Sequence, residues 1–179
     1  AIFVTHIHPD HIYGLPSFVH SLMLEEGVVS LYGSRETVDF CRDLLDVFHL
    51  RDKKFKRRVD LIGLEPDKRI PVGEALEVSA FATPHSSASL AYHFYLMGEG
   101  KELLYSGDTP PMPRLIQEAA GIDYLVHDCS SPARFFQQYP ILKTMHTHSL
   151  ELGALARKAD VKCLIPCHFF GEVEFSLVE

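Results

Sequence analysis

The sequence predicts an α/β fold in which helices cover the faces of β-sheets. Short apolar or alternating runs typical of strands recur along the whole chain. In its second half these runs alternate with segments of helical spacing. The hydrophobic content is 46% over 179 residues, without low-complexity tracts, which is enough to form a buried core. We therefore expect a single domain over residues 1–179.

The elements follow one another from the amino terminus. The run AIFV is typical of a buried strand that delivers the next residues to a loop. The later predicted strands are 28–33, 59–64, 76–82, the two arms of a hairpin around residues 98–101, 123–128 and 161–166. The predicted helices are 14–27, 34–50, 111–120 and the segment marked by the helical spacing of residues 152–159.

Composition restricts the function. The formal net charge of −7 weighs against a general nucleic-acid surface. The basic run RDKKFKRR at residues 51–58 is the local exception, and either a solvated connection after a helix or a patch for phosphate backbones fits it. No apolar run approaches the length of a membrane span, and no signal peptide is visible. The cysteines form no CxxC pair, and Cys163 and Cys167 bracket an apolar stretch, as small buried strand residues do. This favours a reducing compartment, the cytoplasm.

A dense cluster of histidines opens the chain in the stretch THIHPDH, residues 5–11. Its spacing cannot place every ligand on one face of a helix, so it needs a tight loop. Further ligand candidates fall just after predicted strands, where a sheet holds side chains rigidly. The full set is His6, His8, Asp10, His11, His85, Asp108 and His168. Imidazole and carboxylate together suit zinc or a similar divalent ion.

These motifs resemble a known family. The stretch THIHPDHIYGLP resembles the signature of the metallo-β-lactamase superfamily, and its DH-x-x-GLP ending is most similar to ribonuclease Z. TPHS, SGDT and LIPCHF then follow in the order of the family's later metal motifs. The resemblance implies an αββα sandwich with two divalent metal ions, zinc first, with manganese or iron as alternatives. One ion would be held by His6, His8 and His85, the other by Asp10, His11 and His168, with Asp108 bridging both.

Two further stretches specify the chemistry that the resemblance implies. LVHDCS and HTHSLELG resemble ribonuclease Z motifs, which makes Asp128 and His148 a carboxylate–imidazole pair beside the metals. Together with Asp10 they are the expected catalytic residues, with His148 protonating a departing alkoxide. A water shared by the two ions would become the nucleophile. The alternative for His148 is a helix cap, and His146 is the less favoured candidate for the same pair.

Three departures limit the resemblance. Relatives carry an N-terminal strand-rich segment that is not visible here, so we expect an N-terminally incomplete domain whose first sheet has an unpaired edge. Residues 86–107 have room only for a short hairpin, not for the protruding arm with which many ribonuclease Z enzymes grip tRNA. The stretch FFGEVEF after His168 differs from the family's SPRY-like ending.

The predicted function is a metal-dependent phosphodiesterase that uses a hydroxide between two zinc-like ions, acting on a small phosphodiester or RNA. The acidic charge and the missing arm make tRNA a weaker candidate, and a homodimer is a candidate assembly. A thioester or lactam hydrolase of the same superfamily is the main alternative. A non-catalytic nucleic-acid-binding module and a two-iron redox protein are the others.

Overall fold

The computed structural model describes residues 1–52 and 54–170, and the chain divides into two compact units, Ala1–Glu65 and Pro66–Glu179. The single domain stays a prediction. No helix in the described ranges combines the length and apolarity that crossing a lipid bilayer requires.

The first unit is a parallel sheet with helices between its strands. Its elements are β1 (Ile2–Phe3), α1 (Pro9–Ile12), α2 (Gly14–Ser21), β2 (Gly27–Gly33), α3 (Arg35–Val47) and β3 (Arg57–Gly63). The strand order is β1-β2-β3, and both pairs are parallel. The predicted strands are confirmed, whereas α2 ends six residues before the predicted Gly27. The backbone N–H groups of Leu22 and Met23 donate to carbonyls three residues earlier, which tightens and ends the helix.

Helix α3 is fixed at its start and along one face. The Ser34 side chain accepts a hydrogen bond from the Thr37 backbone N–H at 3.1 Å, which caps the helix. Cys41 and Leu45 of α3 are fully buried in one core cluster with Leu31 of β2. This core orders the sheet whose first strand leads to the histidine cluster.

The second unit is a mixed six-stranded sheet. Its elements are β4 (Ile70–Pro71), β5 (Leu76–Ala82), β6 (Leu90–Leu96), β7 (Lys101–Tyr105), α4 (Pro113–Glu118), β8 (Tyr124–Asp128), α5 (Ala133–Gln138), a 3₁₀ helix (Pro140–Thr144), α6 (Ser149–Lys158) and β9 (Cys163–Cys167). The strand order follows the chain, antiparallel from β4 to β7 and parallel from β7 to β9. The predicted hairpin is confirmed as β6–β7. Strand β4, helix α5 and the 3₁₀ helix were not predicted.

One face of this sheet carries the core of the second unit. Leu104 and Leu125 are fully buried in a cluster with Leu115 of α4 and Leu155 of α6. Strands β7, β8 and β9 are parallel, so their carboxyl ends meet at one edge of the sheet. That edge presents the polar residues described below.

The basic run at residues 51–58 is neutralised by neighbouring carboxylates. Arg51 pairs with Asp46, Lys56 with Glu26, Arg57 with Glu25 and Arg58 with Asp60. Lys53 lies outside the described residues. These ion pairs support the solvated connection over a patch for phosphate backbones.

Candidate metal centre

The first unit gathers a ligand set on a loop and one short helix. His6 and His8 follow β1, while Asp10 and His11 lie on α1, which begins at Pro9. His6 Nε2 lies 3.0 Å from His8 Nδ1, and the Asp10 carboxylate lies 3.3 Å from His11 Nε2. Nitrogens on one tetrahedral zinc ion are about 3.3 Å apart, because each Zn–N bond is about 2.0–2.1 Å. The His6–His8 spacing therefore fits two ligands of one ion.

The second unit places one carboxylate between two imidazoles. Asp108 follows Gly107, whose φ of 58° lies in the left-handed region that glycine adopts without strain. The Asp108 Oδ2 atom lies 3.7 Å from His85 Nε2 and 3.3 Å from His168 Nε2. The buried carboxylate thus faces both rings with a single oxygen atom.

The hydrogen bond of His85 indicates whether a cation fits between its ring and the Asp108 carboxylate. His85 Nδ1 lies 2.8 Å from the Met145 carbonyl oxygen, to which only a protonated nitrogen can donate. In the neutral ring the Nε2 lone pair then points at the Asp108 carboxylate, so a cation or a proton must lie between them. A hydrogen bond from the distal ring nitrogen to a carbonyl is also the usual arrangement for a metal-binding histidine.

His168 closes this group at the end of β9. Its φ of 61° is a left-handed conformation that non-glycine residues rarely adopt, and such strain concentrates at functional sites. Its ring stacks on that of His146 with centroids 5.3 Å apart. One ligand atom each from Asp108, Asp128, His146 and His168 lies within 4.8 Å of the others. Within the second unit the donor set therefore fits a divalent cation.

Asp128 pairs with His146, not with His148. The Asp128 Oδ2 atom lies 2.9 Å from His146 Nδ1 and accepts weaker hydrogen bonds from the backbone N–H groups of Thr109 and Thr147. His148 instead caps α6, because its Nδ1 accepts from the Glu151 backbone N–H at 3.3 Å. The predicted Asp128–His148 pair is therefore wrong, because the partner of Asp128 is His146. The cap alternative for His148 is confirmed.

A family model described as "Beta-lactamase superfamily domain" matches residues 1–169. The chain belongs to this family. It is 25% identical to ribonuclease Z of Methanosarcina acetivorans, over 94% of this chain and 69% of that protein.

Solved structures show the same fold. The metallo-β-lactamase fold protein YhfI from Bacillus subtilis superposes with a TM-score of 0.75 at 18% identity, over 98% of this chain and 67% of that one. The short form of human tRNase Z superposes with a TM-score of 0.73 at 20% identity, over 94% of this chain and 71% of that one. The predicted metallo-β-lactamase fold is confirmed.

The remaining histidines of this superfamily member are His20, His49, His93 and His127. His127 is fully buried and donates from Nδ1 to the Asp128 carbonyl at 2.7 Å, and burial lowers its pKa, which keeps the ring neutral. His93 lies between the carboxylates of Glu102 and Glu118. His20 and His49 are exposed.

No cysteine belongs to the candidate ligand groups in the described part of the chain. All four are free, and burial raises the pKa of Cys129 to about 11 and that of Cys167 to about 12. Without a bound metal ion, both thiols are therefore protonated at neutral pH. The predicted burial of Cys163 is wrong, because its side chain is exposed, and Cys167 is only half-buried.

His146 is the functional candidate that sequence reasoning ranked too low. A signal was available: the residue just before a helix is commonly used to cap it, and α6 begins at Ser149. His148 is therefore committed to the cap, which leaves the imidazole two residues earlier for Asp128.

Proposed function

We propose that this chain carries the ligands of a binuclear metal-dependent phosphodiesterase of the ribonuclease Z type. The observation that carries the proposal is the single Asp108 oxygen that faces both His85 and His168, beside the Asp128–His146 pair. A carboxylate in that position suits two cations that share it. The curated relatives named ribonuclease Z, at 25% identity and below over most of the chain, support the same reaction class.

The metal assignment follows from the resemblance and is part of the proposal. His6, His8 and His85 would hold one ion, Asp10, His11 and His168 would hold the other, and Asp108 would be a ligand of both. The donor types favour zinc, with manganese and iron as alternatives. When bound, two such ions supply an activated water and polarise the phosphoryl oxygen.

The remaining proposed roles belong to Asp128, His146 and Asp10. Asp128 holds the His146 ring through Nδ1, which leaves Nε2 to deliver a proton to the departing oxygen. Asp10, exposed beside His11, is proposed to orient the attacking group. The β6–β7 hairpin is too short to form an extended arm that grips tRNA. The proposed substrates are therefore small phosphodiesters, or RNA other than a tightly held tRNA.

The test compares two carboxylates of the second unit. We expect the zinc-loaded protein to hydrolyse bis(p-nitrophenyl) phosphate, and Asp108→Asn to lower the rate by more than about 100-fold with loss of bound metal. Asp123 is a matched control, since it precedes β8 at the opposite end of that strand and pairs with Lys162. Asp123→Asn should stay within about twofold of the wild type.

Two results would contradict the proposal. An Asp108→Asn protein that keeps both its metal and its rate would remove the bridging role. A loaded protein that hydrolyses a thioester or a β-lactam but no phosphodiester would replace the phosphodiesterase with the alternative of the same superfamily.

A further inference from the structure

The segment between β8 and α6 leaves the candidate centre and returns to it. At its base, the Ser130 backbone N–H donates to the Thr147 carbonyl at 3.2 Å, and the Ser149 N–H donates to the Ser131 carbonyl at 3.3 Å. Asp128 and His146 close the same base. Residues 132–145, the 132–145 loop, are therefore held at both ends by the site.

The charge of this loop differs from that of the chain as a whole. The chain carries a formal net charge of −7, yet no Asp or Glu occurs between Asp128 and Glu151. Arg134 and Lys143 of the loop are exposed, and neither forms an ion pair within the described residues. Several other cations of this unit are paired, for example Arg114 with Asp67 and Lys162 with Asp123. The loop therefore offers two uncompensated positive charges beside the candidate centre.

The same loop exposes two apolar side chains, Tyr139 and Ile141, and is anchored by the buried ring of Phe136. Phe136 is fully buried and packs edge-to-face against His148, with centroids 5.0 Å apart. Tyr139 is 50% exposed and Ile141 is 66% exposed. An ordered loop that presents an aromatic ring to solvent near two free cations is suited to a ligand with both a planar group and negative charge.

We propose that the 132–145 loop binds single-stranded polynucleotide on one side of the cleaved phosphodiester. Arg134 and Lys143 contact backbone phosphates, and Tyr139 stacks on a base, which is how single-stranded nucleic acid is held without sequence preference. An acidic peptide would match the cations but would give Tyr139 no planar partner. The inference rests on the proposed function and narrows its substrate from phosphodiesters in general to a polymer.

The first experiment measures binding of a labelled single-stranded oligouridine with phosphorothioate linkages to the metal-loaded protein by fluorescence anisotropy. We expect R134A/K143A to weaken binding about tenfold, and to reduce the slope of log K against log salt by about 1.4, or 0.7 for each lost phosphate contact. The matched control is R157A/K158A, whose cations lie in the last turn of α6 and likewise form no ion pair within residues 1–52 and 54–170. It should bind like the wild type.

The second experiment isolates the stacking contact. Tyr139→Ala should weaken binding of the oligouridine at least about fivefold, whereas Tyr139→Phe, which keeps the ring, should stay within about twofold. With an abasic oligomer of the same charge, Tyr139→Ala should bind like the wild type. Melting temperatures establish that each variant is folded.

The outcomes separate this inference from the proposed function. Equal losses in R134A/K143A and R157A/K158A, or oligouridine binding that both loop variants leave unchanged, would overturn the loop as a binding surface. If bis(p-nitrophenyl) phosphate is hydrolysed in that case, the proposed function stands alone. If the loop variants lose binding as expected but the wild type hydrolyses no phosphodiester, the proposed function fails and the binding surface stands.

Discussion

The two units carry their ligand candidates in opposite ways. In the first unit they lie between His6 and His11, on one loop and the short helix α1. In the second they are spread from His85 to His168, each at the end of a different strand. The first set depends on local chain geometry, while the second depends on three parallel strands ending at the same edge. A change in the sheet should therefore disturb only the second set directly.

The largest expected effect concerns His146, the proposed proton donor that lies beside the ligands of the second unit. His146→Ala should lower kcat by about 10²–10⁴ for a phosphodiester with a poor leaving group, because the proton donor is lost. The measurement is kcat across aryl phosphodiesters of increasing leaving-group pKa, where the loss should grow with that pKa. His20→Ala, an exposed change on α2, is the control.

The matched variant is His148→Ala. Its loss of the α6 cap should cost about 1 kcal/mol of unfolding free energy without dependence on the leaving group. A strong leaving-group dependence in His148→Ala and none in His146→Ala would restore the role that the sequence assigned to His148.

A second prediction concerns the hydrophobic cores of the two units, each weakened by its own substitution. Leu45→Ala in the first unit and Leu104→Ala in the second should each lower the free energy of unfolding by about 2–5 kcal/mol, because both side chains are fully buried. Leu104 lies on β7, four residues before Asp108, so its loss should also weaken zinc affinity more than the loss of Leu45 does. Denaturant unfolding and zinc titration measure the two effects. Equal zinc affinities would show that the second ligand set does not depend on its sheet.

The smallest effect sharpens the contrast between the paired basic run and the unpaired cations of the 132–145 loop. Asp46→Asn removes the partner of Arg51, a pair that is partly exposed. It should cost no more than about 1 kcal/mol of unfolding free energy. Thermal melts in low and high salt check this, since screening should reduce the difference between variant and wild type. A larger, salt-independent loss would mean that the pair is structural.

Prediction from sequence succeeded where a single period or motif carried the information. The β6–β7 hairpin was found because two strand-like runs flank a glycine turn, and α3 because its apolar residues repeat at helical spacing. Helix α5 and the following 3₁₀ helix were missed, since segments of five or six residues are too short to show a helical period. The assignment of His148 failed because two histidines two residues apart look equivalent in a linear sequence.

The sequence by itself determined the fold class, the family and the ligand types, because strand and helix periods and the spacing of the histidine motif are local properties of the chain. Only the tertiary structure decided which imidazole meets Asp128, how Asp108 lies between His85 and His168, and which cations remain unpaired. Those properties depend on the register of β7, β8 and β9 and on the helix cap at α6, which bring together residues that lie far apart in the chain.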